Sequence, residues 1–317
     1  MSDSDRPAVS ALVVNYNSGD WLRLCLESLQ AIAEAWRRDD PARPGSPAAL
    51  EAVVVDNASS DGSLTTVREF ETAGAPVLPV RLVEAGRNLG FGAACNLAAA
   101  KSAGRHLLFM NPDAWIDEES LRRLVEAQES EDRLAVAAPC LSYPDGSPQF
   151  VWAPPVGVLG EACQRFRNRF EEAAWNHGRL PRLLKPCVGA GWYTAACLLV
   201  RRAAFDDIGG FDERFFLYFE DADLCLRLRR AGFRLREVPG ARAWHVRGAV
   251  TGTDRERRLT PAAERFYRAS QLRYYGLHRP RWERAYLRRR LRRKFRRVED
   301  EEQRRALLRL LEGGDGC

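Results

Sequence analysis

The first 140 residues alternate between short apolar runs and longer segments in which apolar residues recur at helical spacing. The apolar runs predict strands at 8–14, 52–55, 80–83, 106–110 and 134–138. The intervening segments predict helices at 18–38, from 60–63 onward, at about 92–102 and at 117–130. Strands that alternate with helices indicate parallel strands joined by right-handed crossovers, with helices on both faces of the sheet.

The second half of the chain is less regular. The pattern predicts loops, one helix near 159–172, a strand within 186–200, a short helix within 203–215, a helix at 221–230, strands near 233–238 and 242–246, and charged helices from 260 onward. We therefore expect an α/β fold over residues 1–250. It divides into a nucleotide-binding half, 8–138, and an acceptor or catalytic half, 139–250. A helical, basic extension follows at 251–317.

Polar residues stand just beyond four predicted strands or in the loop that follows one. They are Asn15, Asp56, Asn88 and Asp113. Because ligands in open α/β sheets bind beyond the carboxyl ends of the strands, these residues are expected to share one rim and to form a site.

The charge of the chain is concentrated in one segment. The formal net charge is +6, but residues 281–297 contribute ten basic side chains against Glu283, so the rest of the chain is net acidic. This distribution argues against a nucleic-acid-binding protein. Apolar residues recur every three or four positions in the segment, at Trp282, Tyr286, Leu287, Leu291, Phe295 and Val298. Two readings stay open: a helix that lies on an anionic membrane through residues 281–298, or a helix packed on the catalytic domain.

The apolar runs are too short to span a bilayer, and the acidic start does not resemble a signal peptide. We expect a cytoplasmic protein, peripheral on the inner face of the membrane if the basic helix binds lipid. The eight cysteines contain no C-x-x-C pair, which favours small buried side chains over a zinc site.

Acidic residues supply the candidate chemistry. A carboxylate at Asp56 can accept a hydrogen bond from the imide of uracil or thymine, or can form its own turn. Asp113 can hold a divalent cation, or can cap the following helix. Glu220, Asp221 and Asp223 crowd the start of a helix, where acids are favoured, but crowding also raises the proton affinity that a general base needs. His245 is a structural histidine or a metal ligand.

Six motifs occur in one order along the chain. They read V-V-N-Y-N, V-V-V-D-N-A-S-S-D-G-S, R-N-L-G-F-G-A-A-C-N, L-L-F-M-N-P-D, G-G-F-D-E-R-F-F and Y-F-E-D-A-D-L-C-L-R-L-R-R-A-G-F. Together they resemble glycosyltransferase family 2, with its GT-A fold, and the rhamnosyltransferase-like subgroup of bacterial polysaccharide enzymes. The resemblance covers residues 8–250 and weakens after that.

The resemblance implies roles for individual residues. Asp221 resembles the catalytic base, with Glu220 and Asp223 orienting it or the acceptor. Asp113 and His245 resemble the ligands of Mg²⁺ or Mn²⁺. The nucleotide-sugar donor is assigned to Tyr16, Asp56, Asn88, Gly92, Asn96 and Asn111. One departure is Asn111, where many relatives carry Asp, so metal binding rests more on the other two ligands.

The implied reaction is an inverting, metal-dependent sugar transfer. By subgroup, the donor is dTDP-rhamnose and the acceptor is a glycan or a polyprenyl-diphosphate-linked glycan. A UDP-hexose-dependent transferase of the same fold is the alternative. A sugar-nucleotide nucleotidyltransferase would want a basic, glycine-rich loop near the N-terminus, which residues 15–20 lack.

Overall fold

The computed structural model describes residues 7–39, 49–72, 77–164, 190–246 and 259–312. The helices are α1 (Trp21–Asp39), α2 (Ser63–Thr72), α3 (Phe91–Ala100), α4 (Glu118–Glu129), α5 (Arg202–Asp207), α6 (Glu220–Arg230), α7 (Pro261–His278), α8 (Arg281–Phe295) and α9 (Glu301–Arg309). The strands are β1 (Val9–Asn15), β2 (Leu50–Asp56), β3 (Val80–Glu84), β4 (His106–Met110), β5 (Ala114–Ile116), β6 (Leu134–Ser142), β7 (Pro148–Gln149), β8 (Trp152–Ala153), β9 (Trp192–Tyr193), β10 (Cys197–Arg201) and β11 (Arg234–His245).

The main sheet has the order β3-β2-β1-β4-β10-β6-β11-β5, with β7 paired to β6. Strands β1 to β4, β6 and β11 run in one direction, whereas β5, β7 and β10 run against it. The predicted α/β fold, with a mostly parallel sheet and C-terminal helices, is confirmed. The antiparallel strand β10 lies between β4 and β6, and its apolar sequence carries no signal of strand direction.

The burial of the first strands and helices explains why the apolar pattern of the sequence predicted them. All seven residues of β1 and all five of β4 are buried, because helices cover both faces of this part of the sheet. Helix α1 buries the stripe at Leu22, Leu26 and Leu29 against the same core.

The chain from 234 to 245 forms one strand rather than the two predicted. Its register against β6 shifts between Glu237 and Arg242. Pro239 and Gly240 lie inside this shift, and Gly240 has a φ of 85°, so the ladder is interrupted without ending the strand. Residues 158–164 are helical, which agrees with the start of the helix predicted at 159–172, and the rest of that prediction lies outside the described residues. The first part of the strand predicted within 186–200, residues 186–189, also lies outside them, as does the predicted domain boundary at 250.

The helices of the extension pack on the catalytic half and on one another. A second apolar cluster joins Leu287, Leu291 and Phe295 of α8 to Tyr275 of α7 and to Phe215, which precedes α6. Three positions of the predicted apolar stripe are therefore core. Within the described ranges, no helix combines the length and the apolarity needed to cross a membrane.

Candidate active site

A cavity of about 1020 Å³ opens where the carboxyl ends of the first strands meet the extension. On its domain side the cavity is lined by Val14, Asn57, the glycine-containing loop after β3, and residues 111–113. On its extension side it is lined by the beginning of α7 and by residues of the 158–164 helical segment. Of the four residues predicted to share a rim site, Asn88 and Asp113 line this cavity, whereas Asn15 and Asp56 do not.

Asp113 and His245 meet at the domain side of this cavity. Antiparallel pairing of β5 with β11 sets Ala114 opposite His245, and the Val246 amide donates to the Asp113 carbonyl at 3.0 Å. As a result, Asp113 Oδ1 lies 3.3 Å from His245 Nε2, and both side chains are buried. The N-cap of α4 is Asp117, so Asp113 is not the helix cap.

Hydrogen bonds orient the imidazole of His245. Its Nδ1 lies 2.8 Å from Gln149 Oε1, and the Gln149 amide also bonds the His245 carbonyl at 3.2 Å. Its Nε2 lies 3.2 Å from Asn111 Nδ2. Gln149 Oε1 can only accept and Asn111 Nδ2 can only donate, so this network places the proton on Nδ1 and leaves Nε2 unprotonated beside Asn111 and Asp113.

The Asp113–His245 pair fits a divalent cation. The carboxylate oxygen of Asp113 and the unprotonated Nε2 of His245 lie 3.3 Å apart, and both are accepted ligands for Mn²⁺-like ions. In the described parts of the chain, no group of three His, Cys, Asp or Glu side chains is close enough to hold a metal. Any ion here would need further oxygens, and substrate phosphates are the usual source.

Glu220 and Asp221 face the same cavity from the first turn of α6. Burial raises the pKa of Asp221 to about 7, although the backbone N–H groups of Ala222 and Ala195 act in the opposite direction. Burial, together with the charge of Asp221, also raises the pKa of Glu220 well above its usual range. Glu220 Oε2 is buried and has no hydrogen-bond partner among the described residues. The pair therefore favours one neutral acid beside one titratable base.

The two residues before α6 have a strained backbone. Tyr218 and Phe219 have φ values of 68° and 69°, which non-glycine residues rarely adopt. Tyr267 of α7 packs against both rings, at centroid distances of 5.6 and 5.1 Å, and Ser270 donates to the Leu217 carbonyl at 2.8 Å. Helix α7 thus holds the turn that aims Glu220 and Asp221 into the cavity.

The donor residues predicted from the sequence divide into two groups. Tyr16, Asn88 and Asn111 line the cavity, and the first two are exposed. Asn57, which the sequence analysis did not single out, also lines it and fixes the glycine loop by accepting from the Leu89 amide and donating to the Gly90 carbonyl. Asn57 directly follows Asp56 at the end of a predicted strand, and this position could have marked it as a candidate site residue.

Asp56, by contrast, is buried within its own turn. Its Oδ1 accepts from Asn15 Nδ2 at 2.8 Å, and its Oδ2 accepts from the Ser59 amide at 3.0 Å. It is not among the residues that line the cavity in the described structure. The geometry is that of the turn-forming aspartate, and the base-reading role stays a prediction.

Gly92 and Asn96 also lie away from the cavity lining, on α3. An added Cβ at Gly92 would stand 3.1 Å from the Phe211 Cβ, so this glycine permits close packing inside the protein rather than contact with a ligand. The Asn96 amide donates to the Phe211 carbonyl at 2.9 Å and its oxygen accepts from the Phe211 amide at 2.9 Å. These contacts give both residues a structural role, and their part in donor binding stays a prediction.

Asp223 is likewise turned away from the cavity. It is almost fully buried and lies 2.6 Å from both Arg227 Nε and His278 Nε2. The contact with His278 joins α6 to α7, which positions the start of α6, and the predicted role of Asp223 in orienting the base or the acceptor stays a prediction.

Comparison with known proteins decides the family. A family model described as glycosyl transferase family 2 matches residues 10–209. The chain belongs to glycosyltransferase family 2. It is 32% identical over 263 residues to N-acetylglucosaminyl-diphospho-decaprenol L-rhamnosyltransferase of Mycobacterium tuberculosis, and the match covers 77% of each chain. It is 30% identical over 165 residues to rhamnosyltransferase WbbL of Escherichia coli, covering 49% of this chain and 60% of that one.

Solved structures agree on the fold. A mannosyltransferase from Pyrobaculum calidifontis in complex with GDP-Man and Mn²⁺ superposes with a TM-score of 0.55 at 16% identity, covering 98% of this chain and 71% of that one. GalNAc-T7 with UDP, GalNAc and Mn²⁺ gives 0.59 at 15% identity, covering 97% and 55%. The predicted resemblance to rhamnosyltransferase-like family 2 enzymes of polysaccharide synthesis is confirmed, and the chain is a glycosyltransferase.

The glycosyltransferase cavity also contains a residue that sequence reasoning missed. Trp192 of β9 lines it, and the buried Nε1 of its indole has no hydrogen-bond partner in the described part of the chain. A buried donor without a partner is costly unless a ligand or water satisfies it. No local pattern marks this tryptophan, because its position depends on the pairing of β8 with β9.

Proposed function

We propose that this glycosyltransferase moves L-rhamnose from dTDP-rhamnose to a hydroxyl of an N-acetylglucosamine linked through a diphosphate to a lipid, with inversion and with a divalent cation. The activity for which the Mycobacterium tuberculosis relative is named supports the transferred sugar and the acceptor class. The observation that carries the proposal is that the Asp113–His245 pair and Asp221 open into one cavity.

The donor is assigned to the domain end of the cavity. Tyr16, Asn57 and Asn88 are the polar and aromatic side chains available there to the nucleoside. Asp113 and His245 would hold Mg²⁺ or Mn²⁺, which supplies positive charge to a diphosphate leaving group when it is bound. The amide of Asn111 adds a hydrogen-bond donor beside them.

Asp221 is assigned the role of general base. The acceptor hydroxyl oxygen forms a bond to the anomeric carbon while the bond to the diphosphate oxygen breaks, and the hydroxyl proton passes to the Asp221 carboxylate. A single displacement inverts the configuration at that carbon. Glu220, held neutral by burial, keeps a second negative charge away from the base.

The acceptor is assigned to the end of the cavity walled by the extension. Tyr218 and Tyr267 offer aromatic rings there, and Trp192 offers a ring and a free N–H. Amphipathic aromatic rings suit the mixed apolar and hydroxyl surface of a sugar.

The test is a donor screen on the purified full chain. The donors are dTDP-rhamnose, UDP-glucose, UDP-N-acetylglucosamine and GDP-mannose, each with Mn²⁺ or Mg²⁺ and a short-alkyl diphosphate of N-acetylglucosamine as acceptor. We expect a disaccharide only with dTDP-rhamnose, with an anomeric configuration opposite to that of the donor by NMR coupling. Efficient transfer from a UDP-hexose, or retention of configuration, would refute the corresponding part of the proposal.

A further inference from the structure

Large apolar side chains are exposed together at the corner between α7 and α8. Six large hydrophobic residues are exposed in the described structure, and two of them, Tyr16 and Leu24, belong to the nucleotide-binding half. The other four lie near this corner: Leu159, Leu277, Trp282 and Tyr286, with exposed fractions of 79%, 41%, 61% and 46%. Single exposed residues are ordinary on a protein surface, whereas a cluster rimmed by charge marks an interaction site.

Hydrogen bonds join the three segments that carry these four residues. The amide of Val158 donates to Glu283 Oε2 at 3.0 Å, so Leu159 lies beside the first turn of α8. Arg279 pairs with the same Glu283 carboxylate across the turn that joins α7 to α8. Leu277 and Trp282 flank this turn, and Tyr286 lies one helical turn beyond Trp282.

A row of arginines continues from the apolar cluster along α8. Trp282, Tyr286, Arg289, Arg293 and Arg296 are spaced by three or four residues, so they share one face of the helix, and all are exposed. The opposite face carries the buried side chains that join the second apolar cluster, Leu287, Leu291 and Phe295. We call the exposed set of Leu159, Leu277, Trp282, Tyr286, Arg289, Arg293 and Arg296 the docking face.

Two of the four acidic residues after α8 act within α9. Asp300 caps α9 by accepting from the Gln303 amide, and Glu301 pairs with Arg305 on the same helix. These two carboxylates are therefore directed to α9 and not to the arginine row.

We propose that the docking face binds the surface of an anionic lipid bilayer. Trp and Tyr rings prefer the membrane interface, leucine side chains gain by leaving water there, and arginines are drawn to anionic head groups. A nucleic acid would use the arginines but would leave two exposed leucines unexplained. Charge complementarity and apolar exposure on one face thus favour a lipid surface.

The docking face lies close to the acceptor end of the cavity. In the 158–164 helical segment, Leu159 points to solvent whereas Glu161, two residues later, lines the cavity and pairs with Arg290 of α8 at 2.6 Å. If the proposed acceptor is correct, a bilayer at this face brings the diphosphate of a lipid-linked sugar to the cavity while its chain stays in the membrane. This consequence rests on the proposed function, but the docking itself does not.

The test measures binding of the full chain to vesicles without donor or acceptor. Sedimentation with phosphatidylcholine vesicles, with and without phosphatidylglycerol, should show binding that depends on the anionic lipid and weakens with salt. The triple variant R289Q/R293Q/R296Q should lose about a hundredfold in affinity, because each arginine near an anionic surface contributes about fivefold. The control R37Q/R38Q/R236Q removes the same charge from exposed sites elsewhere and should bind as the wild type does.

A second variant, W282S/Y286S, tests the apolar part and should weaken binding at high salt as well as at low salt. Wild-type protein that binds neither kind of vesicle, equal losses in the two triple variants, or binding to DNA in place of vesicles would overturn the proposal. Turnover of the short-alkyl acceptor in solution separates the docking proposal from the proposed reaction. Variants that lose vesicle binding but keep this turnover support docking. A wild-type protein that binds vesicles but does not turn over this acceptor contradicts only the proposed reaction.

Discussion

The Nε2 atom of His278 lies 2.6 Å from Oδ1 of Asp223, and both side chains are buried. His278 ends α7 of the extension, and Asp223 stands in the first turn of α6, two residues after the proposed base. Arg227 donates to the other oxygen of the same carboxylate at 2.6 Å. The extension is therefore joined to the catalytic helix at the point where that helix enters the site.

We expect D223N and H278Q each to lower the free energy of unfolding by about 2 kcal/mol, because each removes a buried, charge-assisted hydrogen bond. The double variant should lose less than the sum of the two single losses, since both single variants remove the Asp223–His278 contact. Denaturant unfolding of the single and double variants measures this. E69Q breaks the exposed Arg23–Glu69 pair and should cost under about 1 kcal/mol. Additive losses would show that the contact contributes nothing on its own.

D221N is expected to slow turnover by at least about a hundredfold while donor affinity stays unchanged, because an amide cannot accept the proton. Steady-state rates and calorimetric titration with the donor give the two quantities. D206N, at an exposed aspartate on α5, is the matched control and should be fully active. Near-normal turnover in D221N would remove this residue from the role of base.

The dependence of kcat/KM on pH should report the same carboxyl. Asp221 must be ionised to accept a proton, and burial raises its pKa to about 7. The rate should therefore rise as the pH increases from 6 to 8, with a midpoint at about pH 7, instead of being flat above pH 5 as for an ordinary aspartate. A rise centred near pH 4 would contradict the burial of this group in the working enzyme. In D221N the residual rate should lack this rise.

Much of the nucleotide-binding half could be predicted because the residues of each helix or strand there carry the apolar pattern that identifies it. Strands β1, β2 and β4 are largely buried apolar runs, and their ends mark one rim, which is where Asn57 and Asp113 face the cavity. Asp56 stands at the same rim, but its carboxylate is satisfied by the Asn15 side chain of β1 and by the Ser59 amide of its own turn. The position of a residue just after a strand predicts that it lies at the rim of the sheet, but it does not predict whether its side chain points into the cavity.

The extension side of the site could not be predicted in the same way. Tyr267 holds the strained turn at Tyr218 and Phe219 from about 50 residues away in sequence, and no periodicity encodes that contact. The apolar positions of α8 were recognised, but the spacing alone did not separate buried Leu291 from exposed Trp282. That separation depends on which face α7 and α9 cover.

Replacement of Asp113 or His245 by alanine should abolish the stimulation of activity by Mn²⁺ and weaken donor binding. Each change removes one of only two protein ligands proposed for the ion. Donor titrations with and without Mn²⁺ measure the effect. D117A removes the N-cap of α4, four residues from Asp113, and should lower stability by about 1 kcal/mol while leaving the response to metal intact. A D113A enzyme that still responds to Mn²⁺ would place the ion elsewhere.

Trp192 supplies the sharpest test of the acceptor end, because the substitution W192F keeps an aromatic ring and removes the indole N–H together with the five-membered ring that carries it. We expect the KM for the acceptor to rise about tenfold, the value of one hydrogen bond to a buried donor, with donor affinity unchanged. W115F alters a tryptophan that stacks on Trp244 and should leave both constants unchanged. A rise in donor KM instead would move the nucleotide to this end of the cavity and reverse the assignment of its two ends.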